Sequence, residues 1–531
     1  VQRAFACFGR GLFLLGAADR PAFSLKTAVD RGILNPEKNM AQMRRNGDHM
    51  ARDNYNLSML TDFYEMTMSN GYLREGMGDT EVVFDMFFRE VPDHGGFAIC
   101  AGLEQLIAYY SGLSFDDEDI AYLRGKGIFS EEFLEYLRHF KFACDVWSVP
   151  EGTPVFPGEP IVVVKGPVIQ AQLVETMTLL TLNHQSVIAT KAARVVHAAE
   201  GRAIMEFGSR RAQSAQAAIL GARAAYIGGV GATACTITDR DYGVPAAGTM
   251  AHSWVQLFPS EYEAFKKYAE TYPTGCVLLV DTYNVLKSGV PNAIKVFDEV
   301  LKPLGIRPKG VRIDSGDIAF LSKQTRKMLD GAGYPDCGIV ASNALDEYLI
   351  SDLIHQGACV NSFGVGENLI TAKSDPVFGG VYKLAAVERN GVLEPTIKIS
   401  ESVGKITNPG FKTFYRFYDK ESGKACADYV CLRSEPAPDT SAPFEIFDPN
   451  ATWKRKELEN VEAREMLVPI FLHGKRVYEC PPLREVKNYC AAQLDTLWEE
   501  LRRLEYPHKY YVDLSQELWS LKDSMLHRAE Y

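Results

Sequence analysis

His252 closes the run Gly248-Thr249-Met250-Ala251-His252, a setting in which an imidazole can do phosphate chemistry. One ring nitrogen can accept a phosphoryl group or move a proton while a hydrogen bond fixes the other. Sixty residues on, in round terms, Arg312-Ile313-Asp314-Ser315-Gly316-Asp317 sets a guanidinium beside two carboxylates and two small residues, as does a site that admits a phosphoryl group and holds Mg²⁺ or sugar hydroxyls. With Asp281, the carboxylates Asp314 and Asp317 are the candidate Mg²⁺ ligands. Arg210 and Arg211 add planar cations that grip a carboxylate or phosphate through paired hydrogen bonds. Gly364-Val365-Gly366 and Gly379-Gly380 expose backbone N–H groups of the kind that cradle phosphate. Tyr64 and Phe207 are aromatics that can flank a flat heteroaromatic ring. Each has a plainer alternative: a turn, a helix-capping aspartate, a surface arginine, a core aromatic, a structural histidine.

The elements that must position these groups follow from periodicity. Residues 60–73 alternate at helical spacing behind Thr61 and Asp62, which puts Tyr64 in a first turn. Residues 81–88 read as a strand and 103–110 as a helix, while 144–167 read as short strands broken by Pro and Gly. Helical spacing returns over 174–199, closed by Gly201. Then apolar runs at 203–205, 224–227, 244–247, 276–280, 310–313, 338–341 and 360–363 each end in a polar or glycine-rich cluster, most of them separated by helical patterns. Alternating strand and helix implies parallel strands, and in β/α barrels chemistry collects at the strands' C-terminal ends. Ligand groups at nearly every strand end favour a barrel, complete or incomplete, over an open doubly wound sheet, which concentrates them at one switch point. The expected fold is therefore α/β: a TIM-like β/α barrel over residues 186–385. A second, discontinuous α/β sandwich domain is expected from residues 50–185 and 386–531, with residues 1–49 as a non-core extension.

At 531 residues the chain can bury a large core, and 46% hydrophobic with 24% charged residues places it among ordinary globular proteins. A net charge of −11 argues against nucleic acid or an anionic membrane as partner, and no run is long and apolar enough to span a bilayer. Eleven cysteines without a C-x-x-C pair suggest neither a disulfide framework nor a zinc site, so the expected compartment is the cytoplasm. The short apolar stretch at residues 11–16 is rejected as a secretion signal.

Taken together, Leu60-Thr61-Asp62-Phe63-Tyr64, Glu206-Phe207-Gly208-Ser209-Arg210-Arg211-Ala212-Gln213, Gly248-Thr249-Met250-Ala251-His252-Ser253, Val280-Asp281-Thr282-Tyr283, Arg312-Ile313-Asp314-Ser315-Gly316-Asp317 and Gly379-Gly380-Val381-Tyr382-Lys383-Leu384 resemble, in order, the signatures of the nicotinate phosphoribosyltransferases. The resemblance runs from about Asn56 to the carboxyl end. It implies that the barrel is irregular and incomplete, and that the protein is a homodimer with active sites near the subunit interface. It also implies ATP-coupled formation of nicotinate mononucleotide and pyrophosphate from nicotinate and phosphoribosyl pyrophosphate, with Mg²⁺ and ATP as required small molecules. By resemblance, Tyr64, Phe207, Thr249 and Arg312 hold nicotinate. Arg210, Asp314, Ser315, Gly364, Gly366 and Glu367 line the phosphoribosyl pyrophosphate site, and His252 is phosphorylated by ATP.

The chain departs from the family pattern at three places. Gly231 stands where an aspartate is usual, Ala234-Cys235 where Ser-Asn is usual, and Glu367 where threonine is usual. A carboxylate at Glu367 repels phosphate unless a cation intervenes. Rival readings are a nicotinamide phosphoribosyltransferase, which needs no partner for a carboxylate, and a catalytically lapsed homologue that binds metabolites. A quinolinate enzyme fits less well, since that family does not use the ATP-linked histidine.

Overall fold

The computed structural model describes residues 56–528, so the expected extension at 1–49, with its apolar stretch and Cys7, lies outside the described residues. Six parallel strands form one curled sheet: Ala203–Glu206, Ala232–Thr233, Val277–Leu279, Gly310–Ile313, Gly338–Ser342 and Ser362–Val365. In space their order is second, first, sixth, fifth, fourth, third. That is the circular order of a β/α barrel with the seam left open between Ala232–Thr233 and Val277–Leu279. Register is regular on the closed side, with Phe363 opposite Ile204 and Val340 opposite Arg312.

Two expected strands are absent. Residues 224–227 are instead the end of the helix Ala215–Ile227, and residues 244–247 contribute only an isolated bridge, Thr233 to Ala246. A four-residue apolar run fits a buried helix turn as well as a strand, and here alanines decide the matter by packing. A side chain at Gly228 would collide with the backbone of Ala189 and with Ala192, so this helix end lies close against the long helix Glu175–Ala198.

A seven-stranded sheet, antiparallel at every pairing, covers the other side of the core, with Glu81–Phe87 near its centre. It takes strands from Asp145–Ser148 and Val162–Pro167 but also from Val381–Arg389 and Val468–Leu472, so early and late parts of the chain share one sheet. Val381–Arg389 crosses residue 385 and the helix Glu175–Ala198 crosses residue 185, so both expected domain boundaries fall inside continuous elements. Gly379 and Gly380 serve this sheet: the Gly380 N–H donates to Asn183 at 3.1 Å as the chain enters Val381–Arg389. Among the described residues no helix is long and apolar enough to cross a membrane, and the cysteines are free.

Candidate active site

The strand Ala203–Glu206 ends in a buried carboxylate that organises the loop after it. Glu206 accepts from the Thr233 hydroxyl at 2.6 Å and from the Gly208 N–H, and burial raises its pKa. Phe207 is thereby turned over the sheet's end, its N–H donating to Val365 at 2.8 Å. A Cβ at Gly364 would sit 2.5 Å from the Phe207 ring, so only glycine admits the aromatic at that height. Gly366 meets the Phe207 carbonyl on the same side.

Arg312, on Gly310–Ile313, is the hub. Its Nε donates to Ser342 at 2.8 Å, Nη1 to Thr249 at 3.2 Å and Nη2 to Asp314 at 2.7 Å. Its guanidinium carbon lies 5.4 Å from the centre of the Phe207 ring, within cation–π range. Three βα loops and one aromatic thus fix a cation that is only 15% exposed.

Asp314 joins this hub to the histidine. One oxygen holds Arg312 and the Ser342 hydroxyl, and the other lies 3.9 Å from His252 Nε2. His252 begins the helix His252–Leu257 in the segment that spans the open seam, and its Nδ1 is 3.1 Å from the Thr282 hydroxyl. Asp281 props the next loop: its Oδ2 accepts from the Asp314 N–H at 3.1 Å and the Ser315 hydroxyl at 2.6 Å. Its Oδ1 is buried without a hydrogen-bond partner.

A cleft of about 620 Å³ opens beside the hub, walled by Phe207, Arg210, Arg211, Arg312, Gly366 and Lys373 among others. Its cations and glycine edges suit an anionic ligand, and its aromatic walls, Phe207 and Tyr348, suit a ring.

Models of the nicotinate phosphoribosyltransferase family match in three pieces: the N-terminal domain at residues 59–183, the family's central model at 202–416 and the C-terminal domain at 411–522. The nicotinate phosphoribosyltransferase of Bacillus subtilis is 42% identical over 474 residues, 89% of this chain and 96% of that one. The human protein of the same name is 30% identical, with 88% of this chain and 96% of that one covered. This chain belongs to the nicotinate phosphoribosyltransferase family. The crystal structure of human nicotinic acid phosphoribosyltransferase superposes with a TM-score of 0.76 at 28% identity, covering 88% of this chain and 100% of that one. A nicotinate-nucleotide pyrophosphorylase from Pyrococcus furiosus, 23% identical with a TM-score of 0.63 over 83% of this chain and 96% of that one, shares the fold.

At the positions that depart from the family's pattern, backbone hydrogen bonds and nearby cations stand in for side-chain contacts. The Gly231 N–H donates to Ile204 at 2.9 Å, Ala234 to Glu206 at 2.8 Å and Cys235 to Thr233 at 3.0 Å, so these positions hold the loop through backbone that survives the side-chain change. Glu367 is offset by Lys373 at 2.8 Å and Arg211 at 3.8 Å, and the lysine's hydrogen bond lowers its pKa.

Not every candidate joins the hub. Asp317 caps the helix Ile318–Gly331 by accepting from the Phe320 N–H at 2.9 Å. Asp281, Asp314 and Asp317 do not converge, and no group of three potential metal ligands occurs among the described residues. Tyr64 sits on the helix Phe63–Arg74, 44% exposed, and does not line the cleft. The sequence reading missed Lys191, Ser342, Asp346, Tyr348 and Lys373, all cleft walls. Ser342 directly follows the apolar run 338–341, a signal that could have found it; Lys191 lies inside a helix, where no local pattern marks it.

Proposed function

We propose that this chain makes nicotinate mononucleotide and pyrophosphate from nicotinate and phosphoribosyl pyrophosphate, for NAD biosynthesis, as an ATP-dependent enzyme of the ligase class. The arrangement of Arg312 carries the reading. A guanidinium held over the face of Phe207, in the same cleft as Arg210 and Gly366, is what a ring bearing a carboxylate beside a sugar phosphate requires.

In this reading nicotinate lies along Phe207 with its carboxylate on Arg312, taking up the longest of that residue's three hydrogen bonds, the one to Thr249. The ring-nitrogen lone pair forms the bond to the anomeric carbon as the carbon–oxygen bond to pyrophosphate breaks, and that electron pair leaves with pyrophosphate. Positive charge builds on the ribose ring, where the Asp314 carboxylate stabilises it, while Arg210 neutralises the leaving group. Ser315, Gly364 and Gly366 give the small edges at which the sugar phosphate lies, and Lys373 quenches Glu367. The Asp281 oxygen that lacks a partner, with Asp314, fits Mg²⁺ carried in on the pyrophosphate, where the ion would offset phosphate charge. Asp317 falls outside that pair, since its carboxylate caps a helix.

His252 is the ATP-linked group. Thr282 fixes Nδ1, leaving Nε2 to attack the terminal phosphorus of ATP; the nitrogen–phosphorus bond forms, ADP departs, and water later releases phosphate. A cytoplasmic homodimer completes the proposal. Tyr64 is exposed alongside Leu60, Phe63 and Met68, so it reaches a ring-binding cleft when a second copy covers that face.

The test offers the purified protein phosphoribosyl pyrophosphate and Mg²⁺ with nicotinate, nicotinamide or quinolinate. Nicotinate mononucleotide as the favoured product is expected. Faster turnover of nicotinamide would shift the assignment to the amide enzyme, and binding without product to a lapsed homologue.

A further inference from the structure

At the opposite end of the parallel strands lies a second cavity, of about 660 Å³. Ala203 and Ile204, the first residues of the strand that leads to Phe207, form part of its wall, as do Gly229 and the departing Gly231. The deep surface is apolar: Ile204, Ile227 and Leu501 are each at most 2% exposed. Nearer solvent the lining is charged, with Arg202, Lys487, Arg502 and Arg503 against two carboxylates, Glu200 and Asp495. In a chain of net charge −11, that is a local reversal of sign.

Lys487 gives the cavity its chemical meaning. It projects from the helix Leu483–Thr496, donates to the Val230 carbonyl at 2.7 Å and lies 4.2 Å from the centre of the Tyr226 ring. Arg202, Arg502 and Arg503 each have a carboxylate within 3.8 Å, whereas among the described residues none pairs with Lys487. Burial pushes its pKa down. A half-buried ammonium with spare donors and no counter-charge is stabilised by any anion that enters.

We propose that this cavity binds an organic phosphate of mononucleotide size, its flat body on the apolar floor and its phosphate on Lys487 with Arg202 and Arg502 at the mouth. The volume falls within the range of about 300–1,000 Å³ typical of small-molecule sites. Arg202 also gives the ligand a route to the active cleft. Arg202 immediately precedes the strand that leads to Phe207, and it donates to the carbonyl of Val360 at 3.2 Å, just before the strand that leads to Gly366, as well as to Ala199 in its own turn at 3.3 Å. A phosphate that draws Arg202 outward loosens the starts of both strands together, and so changes how the cleft holds its substrates.

AMP is the probe. In an Arg210→Ala, Arg312→Ala background, which removes the two guanidiniums assigned to substrates in the active cleft, calorimetry should show saturable AMP binding, weakened at least tenfold by Lys487→Met and retained by Lys487→Arg. Arg502→Ala, at the mouth, gives a second reading that does not depend on the half-buried lysine and should weaken binding severalfold. Equal affinity with and without Lys487, or no saturable binding below millimolar AMP, overturns the site. This arm needs no turnover, so it stands apart from the catalytic reading. With the wild-type enzyme, AMP should shift the KM for phosphoribosyl pyrophosphate, and Lys487→Met should abolish that shift while keeping basal activity. Binding without any shift overturns the route through Arg202.

Discussion

The imidazole of His252 and the carboxylate of Asp314 face each other across 3.9 Å, Nε2 to Oδ2. Because the other Asp314 oxygen holds Arg312 at 2.7 Å, one carboxylate ties the histidine to the arginine at the centre of the site. In the proposed reaction, phosphate chemistry at His252 and ring recognition at Arg312 would therefore share a support.

Arg312→Lys should raise the KM for nicotinate far more than it lowers kcat. A lysine carries the charge but cannot point three ways, so the hydrogen bonds to Ser342, Thr249 and Asp314 cannot all persist. Loss of a charged hydrogen bond of about 1.5–3 kcal/mol corresponds to roughly 10- to 150-fold. Steady-state kinetics with varied nicotinate read it out; an unchanged KM would remove Arg312 from the ring site.

Gly364→Ala tests the placing of Phe207. The new methyl would lie 2.5 Å from the ring, so the aromatic must move. An overpacking cost of about 1–3 kcal/mol should lower the melting temperature, and nicotinate binding should weaken in parallel. A variant with wild-type melting and KM would show that the ring has room to spare.

Lys373→Ala should raise the KM for phosphoribosyl pyrophosphate, because Glu367, left with only Arg211 at 3.8 Å, then presents a poorly compensated charge to an incoming phosphate. Adding Glu367→Gln should restore it. If the double variant stays as poor as the single one, Lys373 acts on the substrate itself and not through Glu367.

Stability should carry the mark of Glu65, a fully buried carboxyl on the helix Phe63–Arg74. Burial, with Glu175 and Asp62 nearby, pushes its pKa from about 4.5 up to about 7, against the hydrogen bonds from Thr176 and Thr61. The folded state thus holds a proton that the unfolded chain has released, so stability falls as pH rises from about 4.5 to 7 and levels off above. Glu65→Gln should flatten that limb in denaturant titrations between pH 5 and 8. An unaltered slope would assign the pH dependence to other groups.

The strand ends were legible because each apolar run stops at a chemically distinct cluster: Glu206-Phe207, Asp281-Thr282, Arg312 with Asp314, Ser342, Gly364. Their alternation with helical patterns along the chain also carried the barrel, while its open seam shows only in the strand order in space. What the letters hid was of two kinds. Short alanine-rich runs such as 224–227 look alike in helix and strand, and only the close approach at Gly228 distinguishes them. Lys191 reaches the cleft from a helix interior, its Nζ bonded to Asp93 at 3.0 Å, Glu347 at 2.7 Å and Ser374 at 2.6 Å. Such a residue is defined by partners from distant segments, which no local period encodes. The compensation of Glu367 by Lys373 was likewise visible only once the loop had a shape.

The most direct measurement compares nicotinate mononucleotide formation by the wild-type enzyme and His252→Ala, each with and without ATP. The wild type should run at least tenfold faster with ATP and take up acid-labile phosphate from it. His252→Ala should retain a slow reaction that ignores ATP and incorporates no phosphate. An ATP response that survives in His252→Ala would contradict the role assigned to this histidine.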